Sequence, residues 1–155
     1  MNGVVVEPRE VLPHRYPMLL VDRVVGVVPG DWATAVKVIS RNEPWYADSG
    51  DRQAYPEVLL VESWAQTAGI AIGADSPNPD VLSGSVMLFG SLSTVEFHRR
   101  VLPGDVLEHR VRVVKAVGDT VIFEGECVRQ GETVFTVSRM VVTFRPAGSL
   151  KSGAK

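Results

Sequence analysis

The residues of this sequence best suited to chemistry are Glu62 and Gln66, which stand four apart inside a strongly apolar run. On a helix, residues four apart share a face, so the amide of Gln66 can orient the carboxylate of Glu62. A carboxylate among apolar side chains is costly to bury unless it is partnered or used. Such a group can also hold a proton and act as an acid. The spacing therefore predicts either a hydrogen-bonded pair that is simply buried in the core or part of an acid–base site.

A long buried helix is needed to position this pair. Pro56 fits its first position, where a missing N–H costs nothing, and the glycines from Gly69 to Gly73 fit its end. A helix that is apolar all round is buried on all sides. The apolar residues here nearly encircle the axis: Val58, Leu59, Leu60, Val61, Trp64, Ala65, Ala68, Ile70 and Ala71.

The rest of the chain is predicted to be mostly β-structure. A short helical turn is expected over Glu7 to Leu12, and turn residues divide the remainder into extended segments. These segments are 18–28, 32–40, 85–90, 93–98, 106–117, 120–130 and 133–145. Five or six antiparallel strands around one helix predict the α+β class, because strands and helix then cover each other's apolar faces. A free edge strand in such a sheet also predicts a dimer.

Length and composition set further limits. The 155 residues suffice for one domain, expected over residues 1–146, with a disordered tail over residues 147–155. The net charge of −2 gives no reason to expect nucleic acid or an anionic membrane as a partner. No window approaches the ~20 apolar residues of a membrane span, and no signal peptide is recognisable, so a cytoplasmic setting is expected. One cysteine and three scattered histidines predict no disulfide, metal or cofactor.

Four motifs carry a resemblance to a known family. They are Leu12-Pro13-His14-Arg15-Tyr16-Pro17 with the following residues through Val24, Asn42-Glu43-Pro44, the segment 58–66, and the segment 97–105. In this order and spacing the chain resembles the hotdog-fold β-hydroxyacyl-acyl-carrier-protein dehydratases of fatty acid and polyketide synthesis. The resemblance implies a hotdog fold, in which an antiparallel sheet wraps one long central helix. It also implies an acyl carrier protein as a partner.

The resemblance further implies a shared active site. In that family a Gly-His-Phe-Pro loop follows Asn-Glu-Pro, and its histidine meets the helix glutamate of the other protomer. Glu62 matches the glutamate, but the histidine has no match, because counting along the loop reaches Asp48 or Ser49. Where the family has Pro-Gly-Val, this chain has Pro56-Glu57-Val58. The charge of Glu57 would oppose negative charge on the thioester oxygen that the family's glycine N–H faces.

The same resemblance carries expectations for other positions. Phe89 and Gly90 match residues at the mouth of the acyl tunnel, and Glu57 and Val58 would border the substrate. Arg99 and Arg100 would meet the acidic carrier protein. His14 lies in a motif outside the family's catalytic pair and is interpreted as a structural hydrogen-bonding residue.

Three functional hypotheses remain open at the level of sequence. In the first, a histidine-bearing second subunit completes the site around Glu62 in a heterodimer. In the second, a homodimer hydrolyses acyl thioesters with Glu62, alone or with Asp48, as base. In the third, the chain is a non-catalytic acyl-binding or scaffold subunit in which Gln66 merely holds Glu62.

Overall fold

One long helix and an antiparallel sheet make up most of the structure. The computed structural model describes residues 5–47, 50 and 53–150. The helices are α1 (Pro8–Val11) and α2 (Glu57–Gly73), and the strands are β1 (Arg23–Val28), β2 (Trp32–Val38), β3 (Ser85–Phe97), β4 (Val106–Val117), β5 (Thr120–Arg129) and β6 (Glu132–Pro146). Within the described residues they form a six-stranded sheet, ordered β1-β2-β4-β5-β6-β3, with every neighbouring pair antiparallel. The predicted α+β arrangement is confirmed.

The core lies between α2 and the sheet, and Trp64 of α2 packs closely against two strands there. This side chain is fully buried, and its Nε1 donates to the carbonyl of Arg110 on β4 at 3.3 Å. On β5, a Cβ at Gly125 would lie 1.9 Å from the Arg110 oxygen and 3.1 Å from the Trp64 ring. Only glycine therefore allows the strand and the indole to come this close.

The turn between β5 and β6 differs by one residue from the sequence prediction. Gly131 and Glu132 were expected at the turn, but Glu132 already pairs with Arg129. The turn residues are Gln130 and Gly131, with φ of 49° and 78°. A two-residue type I′ turn needs positive φ at both positions, and this requirement sets the register of the hairpin.

Strand β3 lies at one edge of the sheet and is longer than expected. The two predicted segments, 85–90 and 93–98, are one strand with a bulge between Phe89 and Ser91. At the bulge, a Cβ on Gly90 would come within 2.9 Å of the Val141 carbonyl oxygen. The bulge lets the strand continue although apolar and polar residues stop alternating in the sequence there. Within the described residues β3 pairs with β6 alone, which leaves its other edge unpaired.

Two element boundaries also differ from the sequence predictions. Helix α2 begins at Glu57, and Pro56 precedes it as the N-cap with extended backbone angles. Residues Ala147–Leu150 form a 3₁₀ turn where a disordered tail was expected. This turn is held because Ala147 is buried and its N–H donates to the carbonyl of Gly84 at 2.8 Å. None of the helices in the described part of the chain is long and apolar enough to cross a membrane.

Candidate active site

The face of α2 that carries Glu62 and Gln66 is bound to the segment that precedes β1. Gln66 accepts the N–H of Leu20 through Oε1 at 2.8 Å and donates through Nε2 to the carbonyl of Met18 at 2.7 Å. Ser63, on the same side of the helix, donates to the carbonyl of Leu20 at 2.6 Å. Two side chains thus satisfy three backbone groups of this segment and fix its position on the helix.

Glu62 accepts two hydrogen bonds through the same oxygen. Gln66 Nε2 lies 2.9 Å from Glu62 Oε1, as the helical spacing predicted, and His14 Nε2 lies 3.3 Å from it. None of the described residues donates to the second carboxylate oxygen, Oε2, and the Glu62 side chain is 37% exposed.

The environment of Glu62 favours its ionised form. The hydrogen bond from His14 is the largest influence and lowers the pKa of Glu62, while burial opposes it by raising the pKa. The Gln66 hydrogen bond and the charge of His14 lower it further, so the net pKa is below the ordinary value. In the chain by itself, the two hydrogen-bond donors thus outweigh burial.

A cavity of about 150 Å³ opens beside this carboxylate. Its walls are formed by His14, Glu62, Ala65, Gln66, Met87, Phe89, Met140 and Val142. The only titratable residues in this set are His14 and Glu62; most of the others are apolar. A second cavity of about 130 Å³ adjoins it, because both are lined by His14 and Met87. His14 and Glu62 therefore form an ionisable pair in a largely apolar cavity.

The placement of His14 was not apparent from the sequence. It lies 48 positions from Glu62, and the motif that contains it indicated only a structural role. In the structure Arg15 Nη1 donates to the carbonyls of Leu12 and His14, at 2.9 and 2.7 Å, which braces the backbone around His14. Its Nδ1 is buried and has no hydrogen-bond partner among the described residues. The contact with Glu62 is made by Nε2.

A second histidine, His109 on β4, is buried behind the same helix. Its Nε2 lies 2.8 Å from the hydroxyl of Ser63. Because that hydroxyl donates its proton to Leu20, it must accept from His109, which places the imidazole proton on Nε2. Complete burial, aided by the charge of Lys37, lowers the pKa of His109 to about 3. His109 is therefore neutral and structural.

The loop that lacks a histidine is anchored at both ends. Glu43 accepts from Lys37 Nζ at 2.6 Å through Oε1 and from the Tyr55 hydroxyl at 2.7 Å through Oε2. Lys37 and Tyr55 are both buried, so Glu43 joins a buried charge to a buried phenol. Asp48, the other catalytic candidate, lies outside the described residues.

The other predicted site residues are placed less centrally. Glu57 and Val58 are exposed at the start of α2 and do not line the Glu62 cavity. On β3, Phe89 lines that cavity although it is 60% exposed, and Gly90 occupies the bulge beside it. Arg99 and Arg100, which were expected to meet a carrier protein, precede β4. Both are exposed, and Arg99 Nε lies 3.2 Å from Glu132 Oε2.

Comparison with known proteins identifies the family. A FabA-like domain is matched over residues 12–138, which is most of the chain. The chain belongs to the FabA-like family. It is 37% identical over 125 residues to 3-hydroxyacyl-[acyl-carrier-protein] dehydratase FabZ of Cereibacter sphaeroides, covering 80% of this chain and 79% of the relative. The FabZ of Ruminiclostridium cellulolyticum is also 37% identical, over 142 residues, covering 86% of this chain and 96% of the relative.

Solved structures confirm the hotdog fold of this FabA-like chain. The dehydratase heterocomplex ApeI:P from Xenorhabdus doucetiae matches with a TM-score of 0.80 at 19% identity, covering 96% of this chain and 97% of that one. Protein PH1136 from Pyrococcus horikoshii matches with a TM-score of 0.63 at 18% identity, covering 90% and 93%. At these identities the likeness shows the fold alone.

Proposed function

We propose that this chain is a subunit of a β-hydroxyacyl-acyl-carrier-protein dehydratase, a hydro-lyase that removes water from a carrier-bound thioester. The observation that carries the proposal is Glu62, a part-exposed carboxylate in a largely apolar cavity of a FabA-like chain. The relatives' names specify the same substrate class for those proteins. Dehydration needs a base for the proton beside the thioester carbonyl and an acid for the departing hydroxyl. Glu62 supplies one of these groups.

The two adjoining cavities support an acyl substrate. An acyl chain would extend from the carboxylate past Met87 into the second cavity, whose walls include Leu12, Val86 and Phe144. Apolar walls favour an alkyl chain and exclude water from the reacting carbons. The polar pair at one position along this path fits a substrate that has one polar, reactive segment.

In this proposal a histidine of a second hotdog subunit supplies the other proton-transfer group. The sequence from Asn42 to Tyr55 contains no histidine. The unpaired edge of β3 can extend the sheet into a partner chain. Phe89, on that strand, is largely exposed although it lines the Glu62 cavity, so a partner would cover it. The dehydratase heterocomplex ApeI:P from Xenorhabdus doucetiae is a precedent for a dehydratase that is a complex of different chains.

Complementation tests this proposal directly. The chain would be mixed with a histidine-bearing FabZ whose own helix glutamate has been replaced by glutamine, so that Glu62 alone can complete a site. Formation of the enoyl thioester would be followed by its ultraviolet absorbance. We expect each protein alone to be inactive and the mixture to be active. Glu62→Gln in this chain should then reduce the rate by at least about 100-fold.

The control is Glu10→Gln, which removes an exposed carboxylate on α1. It should leave the mixture's activity unchanged. Dehydration by this chain alone, unaffected by Glu62→Gln, would contradict the proposal. So would an inactive mixture in which gel filtration shows that the two chains have associated.

The lowered pKa of Glu62 favours one second candidate, thioester hydrolysis. An ionised carboxylate can act as base for an attacking water, alone or with Asp48. This chain by itself would then release free acid from an acyl thioester, and Glu62→Gln or Asp48→Asn would stop the release. A scaffold subunit would bind acyl chains and catalyse neither reaction.

A further inference from the structure

We propose that the sheet face turned away from α2 is an interface at which a second copy of this chain docks. The two copies are related by a two-fold axis that runs along the strands between β4 and β5. This outer face carries Trp32 of β2, Arg110 and Arg112 of β4, and Glu124 and Glu126 of β5. The inference goes beyond the proposed function and does not depend on it, because the cavity on the outer face and the Glu62 cavity share no lining residue.

Alternation along β4 separates the two faces of the sheet. Successive side chains of a strand point to opposite faces. Leu107, His109 and Val111 are buried on the side of α2. Arg110 lies between the last two and Arg112 follows them, and their side chains are 51% and 62% exposed. The outer face therefore presents charged groups to solvent while the inner face forms the core.

Two columns of opposite charge lie side by side on the outer face. In the antiparallel pairing of β4 and β5, Arg110 stands opposite Glu126 and Arg112 opposite Glu124. Arg110 Nη1 lies 3.3 Å from Glu126 Oε1, and Arg112 Nη2 contacts Glu124 Oε1. Because a guanidinium group has five N–H donors, each arginine keeps donors for a second carboxylate. The positive column on β4 and the negative column on β5 can thus accept further partners.

A two-fold axis along the strands makes this pattern self-complementary. A half-turn about that axis exchanges the two columns and leaves the position along the strand unchanged. Arg112 then faces Glu124 of the second copy, and Arg110 faces Glu126, while the pairs within each chain remain. Sheets packed face to face keep their strands within about 30° and lie about 10 Å apart, so opposed arginine and glutamate side chains can meet. Charge complementarity of this isologous kind favours a second copy as the occupant.

Trp32 supplies an apolar anchor in the same arrangement. A Cβ on Gly26 would come within 3.0 Å of its indole, so the ring lies against β1, and the residue is 38% exposed. With Glu124 it lines a cavity of about 500 Å³ on the outer face. The half-turn carries β2 over β6, where the exposed Ser138 and Arg139 stand opposite Glu124 at a bulge. Guanidinium groups stack on indole rings, so β6 of the second copy can cover Trp32.

Charge reversal in the full chain tests this interface. Sedimentation velocity would follow its association over a range of protein concentrations in about 50 mM and about 500 mM NaCl. We expect an association step at low salt that is weakened by about tenfold or more at high salt, because the contacts are between part-exposed charges. Arg112→Glu sets two glutamates against each other across the axis and should abolish this step. Glu124→Arg should do the same with two arginines.

A mixture of the two variants tests the two-fold geometry. Arg112→Glu has two acidic groups at the paired positions and Glu124→Arg has two basic groups, so each variant repels itself and attracts the other. We expect the equimolar mixture to associate at low salt at least as tightly as the wild type. The control is Arg9→Glu, which makes the same charge change on α1, a helix that packs against α2. It should associate like the wild type.

Three results would overturn the proposal. One is a wild-type chain whose sedimentation coefficient is independent of concentration at both salt concentrations. Another is an association step that Arg112→Glu leaves unchanged, as pairing along β3 would be. The third is a mixture that does not associate although thermal unfolding shows that both variants are folded. If Arg112→Glu weakens binding of an acyl carrier protein and not self-association, the outer face belongs to that partner and the proposal is wrong. None of these outcomes depends on dehydratase activity.

Discussion

Gln66 Oε1 lies 2.8 Å from the backbone N–H of Leu20, so a side chain on α2 fixes the segment that carries His14. The same amide donates to Met18 and to Glu62. One buried residue therefore contributes both to the position of the segment, together with Ser63, and to the orientation of the carboxylate.

This relationship predicts a large effect of Gln66→Leu. The change leaves the Leu20 N–H and the Met18 carbonyl without partners, which should cost about 2–4 kcal/mol of unfolding free energy. Urea unfolding would measure it. Gln66→Glu is the informative comparison, because it keeps an acceptor for Leu20 but places a second carboxylate beside Glu62. That variant should raise the pKa of Glu62, and no rise would mean that the two side chains are not coupled.

The neutral, buried imidazole of His109 predicts a loss of stability in mild acid. Its pKa is about 3 in the folded chain against an ordinary value of 6.5, so below pH 6.5 the unfolded state binds the additional proton. The contribution of the neutral His109 to the free energy of unfolding is therefore complete above pH 6.5 and is lost progressively as the pH falls toward 3. Between pH 7.5 and pH 5.0 the wild type should lose about 2 kcal/mol more than His109→Gln. If urea unfolding showed equal losses of stability for the wild type and His109→Gln, His109 would not be neutral in the folded chain.

The anchor of the loop predicts that Glu43→Gln is strongly destabilising. Lys37 is buried and pairs closely with Glu43, so removing this carboxylate charge leaves the ammonium group with Asp22 Oδ2, at 3.9 Å, as its remaining acidic partner. Breaking such a pair typically costs about 3–5 kcal/mol. Tyr55→Phe is the matched comparison and should cost less, because it removes only the hydroxyl that donates to Glu43. A thermal shift for Tyr55→Phe as large as that for Glu43→Gln would argue against a central role of the charge pair.

The close approach of β5 to Trp64 predicts that Gly125→Ala is disruptive. The added methyl group would lie 1.9 Å from the Arg110 carbonyl oxygen, so the strand or the helix must shift. Overpacking of this kind costs about 1–3 kcal/mol or more. The control is Gly148→Ala, because a Cβ there has no described atom within 4 Å. Thermal unfolding should show a large decrease for the first variant and almost none for the control.

The expected contact of Arg100 with an acidic carrier protein predicts an effect of charge at this position. Arg100→Glu should raise KM for a substrate on carrier protein in the complementing mixture and leave KM for a pantetheine thioester unchanged, because only the former presents an acidic protein surface. Lys115→Glu makes the same charge change at an exposed position on β4. It should have no such effect. Equal changes for both variants, or for both substrates, would remove Arg100 from the contact.

Several parts of the fold could be predicted because their physical cause is local. The buried helix follows from apolar residues all around its axis, and the bounds of β4 follow from alternation between a proline-glycine turn and Gly118. The bulge at Phe89 and the turn at Gln130 could not be predicted in detail. They depend on how β3 and β5 pair with β6, and pairing register is a property of two strands together.

For the candidate site, the sequence by itself determined that Glu62 and Gln66 share a helix face and that the loop after Asn42 offers no histidine. Helical spacing and composition are sufficient for both statements. Only the tertiary structure decided that His14 contacts Glu62 and that this contact reverses the effect of burial on the carboxylate. The reason is that a pKa depends on which donors surround the group in space, and His14 reaches Glu62 because Gln66 and Ser63 bind a distant segment to the helix.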